Sequence, residues 1–390
     1  MQRLEILDGM RGYFLLFMTL NHLVLQGGLW LVEINHRQFM FVEDAQGFVF
    51  LSGFLIGLIQ ARRMERKGTS AVRASINKRV FELYLYAMGL IALAILARDY
   101  LPGGVIAFRN WIGTAGAMEP ERLIAIATLF FQPTFMDILP QYIIYLAVSP
   151  LVIRLVIDGK WALVMTVSVL LWVAAQLGLA RAVIPAVSEA LRASDDQGVR
   201  VSFNPMGWQI VFVTGTVLGT LTVLRRIDWN RVFDPRDPVL PLCALLIVLF
   251  FLPLRLATAH GFMPEEVARR FGPMEVRSAF GLVYLVNFVG VAALLTWLVV
   301  AGPRAAQGWI RKIAGWLRAL FMFAPLRMVG RHSLQIYAWH VVLVYAARWF
   351  DAQMGPLTVA QRTMLALVVL MLMPLPAIWR EGRLARQRPA

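Results

Sequence analysis

Residues 278–301 read SAFGLVYLVNFVGVAALLTWLVVA, twenty-four residues without one Asp, Glu, Lys or Arg. A helix needs about 20 mostly apolar residues to cross the hydrocarbon layer of a bilayer, so this stretch suffices for one crossing. Runs of the same kind recur at 10–31, 45–61, 80–97, 137–156, 161–180, 207–224, 239–256, 333–350 and 360–379. The expected fold is therefore an all-α integral membrane protein with about ten transmembrane helices. The first run is long enough to span and no small-residue cleavage site follows it, so it reads as a span and not as a secretory signal peptide. Leu123–Phe131 reads as a short re-entrant or interfacial helix. No internal repeat, low-complexity tract or separate soluble domain breaks the series, so residues 1–390 are read as one multi-span membrane domain.

Composition agrees with this reading. The chain is 59 % hydrophobic, against roughly 45–50 % for an ordinary soluble domain. Charged residues make up 16 %, yet the formal net charge is +15. That balance is too apolar for a disordered chain or a nucleic-acid-binding protein, whose Lys and Arg cluster between polar stretches. The single cysteine, Cys243, excludes a disulfide framework and a thiolate metal site. Five histidines scattered over several segments make no metal centre, so no metal is expected.

The basic residues set the orientation. With the N-terminus placed in the cytoplasm, 25 Lys and Arg and 9 acids fall on the inner side, and 13 and 14 on the outer. The inside thus carries +16 and the outside −1, which fits ten spans with both termini cytoplasmic. The largest contributors are the 62–79 loop, from Arg62 to Arg79, and the 304–331 loop, from Arg304 to Arg331. These charges serve either as orientation signals alone or also as the mouth for an anionic, phosphate-bearing ligand.

Within this apolar frame a few polar residues stand out, since ionisable groups at membrane depth are costly. Arg11 and His22 are eleven residues apart in the first run, roughly 16 Å and about three whole turns of helix, so they share a face. Asp8 falls within about 60° of that face. It either joins a site or pairs with Arg11 at i, i+3. His22 is either a packing histidine or a group suited to move a proton near neutral pH. In the second run Asp44 and Ser52 are eight apart and can meet one neighbour. Gly53 and Gly57 there, and Gly215 and Gly219 in the sixth run, form small-xxx-small surfaces for close helix approach. Asp137 and Tyr142 open the fourth run, and Asn204, Trp208 and Gln209 open the sixth. Ser333, Tyr337 and His340 recur at i, i+4, i+7 in the ninth, on one helical face. Trp208, Tyr142 and Trp339 also suit interface anchors or packing. The chain lacks a Walker A loop, a dinucleotide-binding glycine pattern, a G-x-S-x-G elbow and H-E-x-x-H.

Several of these segments together resemble the OpgC family of bacterial inner-membrane proteins. They are Asp8-Gly-Met-Arg11 with His22, Asp44 through Gly53, Met136 through Pro140, Phe203-Asn-Pro with Trp208-Gln209, and Gly330 through His340. The likeness runs in the same order over nearly the whole chain. Arg-x10-His and Phe-Leu-Ser-Gly-Phe also resemble the wider acyltransferase-3 superfamily.

The resemblance implies ten spans in the bacterial inner membrane and transfer of an acyl group, in OpgC itself succinyl, onto osmoregulated periplasmic glucans. It implies cytoplasmic acyl-CoA, succinyl-CoA foremost, as co-substrate. The acceptor is a hydroxyl of periplasmic glucan or a related polysaccharide, and the lipid bilayer is the remaining partner; no nucleic acid is involved. His22 then takes the general-base role, with Arg11 and Asp8 in the catalytic set. Arg79 faces the donor's phosphates. Asn21, Asp44, Ser52, Asp137, Tyr142, Asn204, Trp208, Gln209, Ser333, Tyr337 and His340 are candidates to line the substrate path or stabilise developing charge. Relatives often carry Asp-His where this chain has Asn21-His22, which leaves open what orients the imidazole. Two other readings fit an intramembrane His and Arg: a glycan or lipid transporter or flippase, and a non-catalytic partner of glucan synthesis.

Overall fold

The computed structural model describes residues 2–113, 119–179, 185–187, 189 and 202–386. Among these residues the chain is helical and contains no strand. By length and composition, six stretches are long and apolar enough to cross a membrane. They are α2 (Asp44–Tyr100), α5 (Ile138–Ile157), α7 (Pro205–Val223), α8 (Val239–Ala259), α9 (Leu282–Val300) and Val359–Arg383, which covers α13 (Val359–Leu372) and runs into α14 (Leu375–Arg386). The helices that carry His22 and His340, α1 (Gln2–His22) and α12 (Ser333–Met354), are outside this set. The set also omits the 16-residue α6 (Trp161–Gln176).

α2 joins two of the expected runs without a loop. Its 57 residues are interrupted only at Gly68, which holds φ 76° and ψ 176°. The helix does not run straight through this point. Gln60 Nε2 donates to Ser75 Oγ at 3.5 Å, and Arg63 also reaches Ser75. Fifteen residues of unbroken helix would hold Gln60 and Ser75 about 22 Å apart. The chain therefore reverses at Gly68, and α2 is a helical hairpin with legs 44–67 and 69–100. Positive φ at the turn suits glycine, which has no Cβ to clash. The stretch expected as a loop at 62–79 is helical because it is rich in Arg, Lys, Met, Glu and Ala, all good helix formers.

Two glycine pairs weld the first leg to α7. A Cβ on Gly53 or Gly57 would lie 2.2 Å from the Phe212 carbonyl oxygen or 2.3 Å from that of Thr216. Reciprocally, one on Gly215 or Gly219 would lie 2.4 Å from the Phe50 oxygen or 2.2 Å from that of Phe54. The small-xxx-small stripes read from the sequence thus face each other, with backbones in direct contact.

α1 forms the hub. It contacts α2, α12, α13, α10 (Gly308–Met322) and α11 (Ala324–Arg331). Gly9 and Gly12 pack on the carbonyls of Phe321 and Leu326, and Gly330 packs on that of Asp8. The first run was expected to stay helical to residue 31; instead the helix stops at His22. Gly27 and Gly28 turn the chain with φ of 81° and 76°. The freed backbone groups find side chains: Gln26 N–H donates to Asp351 at 2.8 Å, and Arg362 donates to the carbonyls of Gln26 and Gly28. His22 thus ends a helix beside irregular chain, in which Leu23, Leu25 and Leu29 are buried and Val24, Gln26, Gly27 and Gly28 are exposed. After the nine-residue α3 (Gly104–Ile112), the stretch expected as a short helix near 123–131 contains α4 (Pro120–Ala127), shorter than a span.

Candidate functional site

His22 and His340 meet where the end of α1 crosses α12. His22 Nδ1 lies 3.1 Å from His340 Nε2. His340 is fully buried, and its Nδ1 contacts the carbonyl oxygen of Tyr337, one turn earlier on α12. A carbonyl only accepts, so His340 Nδ1 carries a proton. In a neutral imidazole the other nitrogen is then an acceptor. With His340 neutral, its Nε2 accepts from His22 Nδ1, which then carries the proton on its own ring. The lone pair of His22 is left on Nε2. In that arrangement the contact with His340 orients the imidazole beside Asn21 without a carboxylate.

Phe135 lies on the other side of the ring. Its ring stacks on His22 with centroids 4.0 Å apart and planes at 19°. Phe135 has φ 69°, a region an aromatic residue adopts only when its surroundings impose it. Those surroundings are two tyrosines of α12: Tyr337 donates its hydroxyl to the Phe135 carbonyl at 2.8 Å, and Tyr345 donates to that of Thr134 at 3.1 Å.

His22 borders a cavity of about 600 Å³ that Asn21, Asp44, Asp137, Thr134 and Ser202 also line. Asn21 Nδ2 donates to Asp44 Oδ2 at 2.6 Å. The other oxygen of Asp44 is buried without a hydrogen bond, 3.7 Å from His36 Nε2. Burial, with Arg37 adjacent, holds the His36 imidazole down to about 4, so it is neutral near pH 7. Arg37 and Arg277 add positive charge to the cavity wall, and both grip the buried Glu43, at 3.2 and 3.4 Å. The sequence reading missed Arg37, Glu43, Arg277, His36 and Phe135. For His36, Arg37, Glu43 and Arg277 the only signal was ionisable residues in loops beside the second and eighth runs, and Phe135 left none.

A second polar cleft, of about 30 Å³, lies towards the start of α1. Arg11, Ser52, Arg79, Tyr142, Ser333 and Tyr337 line it. Arg11 donates to Ser333 Oγ at 2.5 Å and lies over the Phe48 ring, while its Nε is buried without a partner. Ser52 Oγ is likewise buried and unpaired, and Arg79 holds Glu82 at 2.7 Å. Ile138 belongs to both cavities, and Tyr337 connects the cleft to the histidine pair.

Three other residues singled out in the sequence line neither space. Asn204 caps α7 by accepting from Met206 N–H at 3.0 Å. Trp208 is buried with its indole N–H on the Arg277 carbonyl. Gln209 exchanges hydrogen bonds with Ser168 on α6. Asp8 also lines neither space. Among the described residues no ion pair joins it to Arg11.

A family model described as OpgC protein matches residues 3–383. The chain belongs to the OpgC family. Both cavities of this OpgC chain fall within the matched span, and the family points to an acyltransferase-type role in glucan modification. No curated protein and no solved structure matches the chain.

Proposed function

We propose that this chain is a membrane O-acyltransferase that moves an acyl group from a cytoplasmic acyl-CoA to a hydroxyl of a periplasmic glucan or related polysaccharide. The observation that carries the reading is the Tyr337–His340–His22 chain, which leaves the Nε2 lone pair of His22 beside a polar cavity of about 600 Å³. In this reading the acceptor hydroxyl gives its proton to His22 Nε2 as its oxygen attacks the thioester carbonyl. The C–S bond then breaks, and the thiolate takes that proton from His22. A positioned base of this kind contributes about 10²–10⁴-fold. Arg37 and Arg277 supply positive charge for the developing oxyanion. The donor enters from the side of Arg11 and Arg79, and the acceptor from the side of Arg37 and Arg277. The acyl group proposed is succinyl.

The same proposal includes ten spans in a bacterial inner membrane, with both termini cytoplasmic. Six apolar stretches qualify by length and composition. The second leg of the α2 hairpin, the short α6 and the polar helices α1 and α12 bring the number to ten. Supporting the orientation is the charge excess of +16 on the N-terminal side. The test is mass spectrometry of periplasmic glucans and envelope polysaccharides with and without the gene. A 100-Da increment present only with the gene agrees with succinyl transfer, from the mass balance of one succinyl for one hydrogen (about 100 Da). Unchanged glycans in both samples contradict the reading.

A further inference from the structure

We propose that α10 lies in the plane of the membrane and holds anionic phospholipid headgroups of the leaflet beside the start of α1. The helix has three faces. Ala314 and Phe321 are buried against the protein, with Ile310 and Leu317 partly so. Rotated about 100° from these, Trp309, Ile313, Trp316 and Leu320 fall together within about 60° of arc and are exposed, Trp316 at 80 %. Arg311, Lys312 and Arg318 occupy the remaining arc. A helix crossing the bilayer has no use for a cationic face along its length. A helix lying at the interface needs all three: protein on one side, acyl chains under the indoles, headgroups over the cations.

Two further observations favour this placement. α10 and α11 are together long and apolar enough for a span, but they are bent 53° across Phe323, so the pair is not one straight span. The charge of the segment is also one-sided. Between Glu275 and Asp351 the chain has no acidic residue. Arg327 and Arg331 find carboxylates elsewhere, on Glu5 and Glu381. Among the described residues no ion pair forms at Arg304, Arg311, Lys312 or Arg318, and Arg311 donates to the carbonyls of Ala305 and Ala306. Cations left without a carboxylate in this way are attracted to an anionic membrane surface. The proposal is independent of the acyl-transfer reading.

The experiment uses the full chain with Cys243→Ser, reconstituted in nanodiscs of phosphatidylcholine and phosphatidylglycerol. Trp309→Cys, Ile313→Cys, Trp316→Cys and Leu320→Cys are spin-labelled one at a time and read by power saturation with oxygen and a nickel chelate. The expected result is oxygen access exceeding nickel access at all four sites, with one common depth. A depth that changes steadily by about 16 Å from 309 to 320, as in a spanning helix, overturns the proposal. So does nickel access at all four sites, or loss of both probes as a second copy would cause. The headgroup half is read by lipid mass spectrometry of detergent-extracted protein. Phosphatidylglycerol retention over phosphatidylcholine should fall at least threefold in Lys312→Gln/Arg318→Gln, and unchanged enrichment overturns it.

Discussion

At the residue scale, the site rests on which nitrogen of His22 is free. His340 acts on His22 as a hydrogen-bond acceptor, and this makes a graded prediction. Glutamine at position 340 offers a carbonyl oxygen that accepts from His22 Nδ1, whereas leucine offers none. His340→Leu should lower the transfer rate about 10-fold or more, with a smaller loss in His340→Gln and little change in KM for either. Equal rates in both variants would contradict the tautomer role. His36 gives a separate readout. It is held at about 4 instead of the ordinary 6.5. Between those values the unfolded chain binds a proton that the folded chain refuses. Stability from this group is therefore full above pH 6.5 and is lost as pH falls through that window to about 4. The Tm in detergent should drop over this range, and less steeply in His36→Gln; superimposable profiles would refute the assignment. Part of the candidate site's layout was legible. His22 and Arg11 share a helical face, and Tyr337 and His340 repeat at helical spacing, so periodicity found them. Phe135 and the Arg37–Glu43–Arg277 clasp were not legible, because loop residues joined over as many as 234 positions leave no period to read.

At the element scale, the apolar runs located most helices because membrane-length hydrophobicity is a strong signal. Their ends were less clear. α1 stops at His22 because Asp351 and Arg362, far along the chain, take up the backbone after it. The hairpin in α2 was hidden because one glycine in a helix-forming stretch marks a turn only when tertiary contacts close it. The glycine faces yield a direct test. Gly53→Leu should abolish recovery of monodisperse protein, since its Cβ would meet the Phe212 backbone, whereas Gly89→Leu should be recovered normally, since nothing lies within 4 Å of it. Equal recovery of both would show that close α2–α7 packing is dispensable.

At the scale of the whole molecule, the charge asymmetry and the two cavities describe one polarity. Arg11 and Arg79 lie towards the start of α1, and Arg37 and Arg277 beside the cavity at its end. In the proposed topology Lys67 faces the cytoplasm and Glu33 the periplasm. In a Cys243→Ser background, Glu33→Cys should react with an impermeant maleimide in spheroplasts, and Lys67→Cys only after lysis; the reverse pattern would invert the assignment. The joint between the two sides is His22, and acyl transfer is where the proposal stands or falls. The decisive measurement is transfer of labelled acyl groups from acyl-CoA to glucan by the purified protein in nanodiscs, wild type against His22→Ala at equal folded amounts. The account predicts labelled glucan with the wild type and a loss of about 10²-fold or more in the variant; transfer by His22→Ala at the wild-type rate would contradict it.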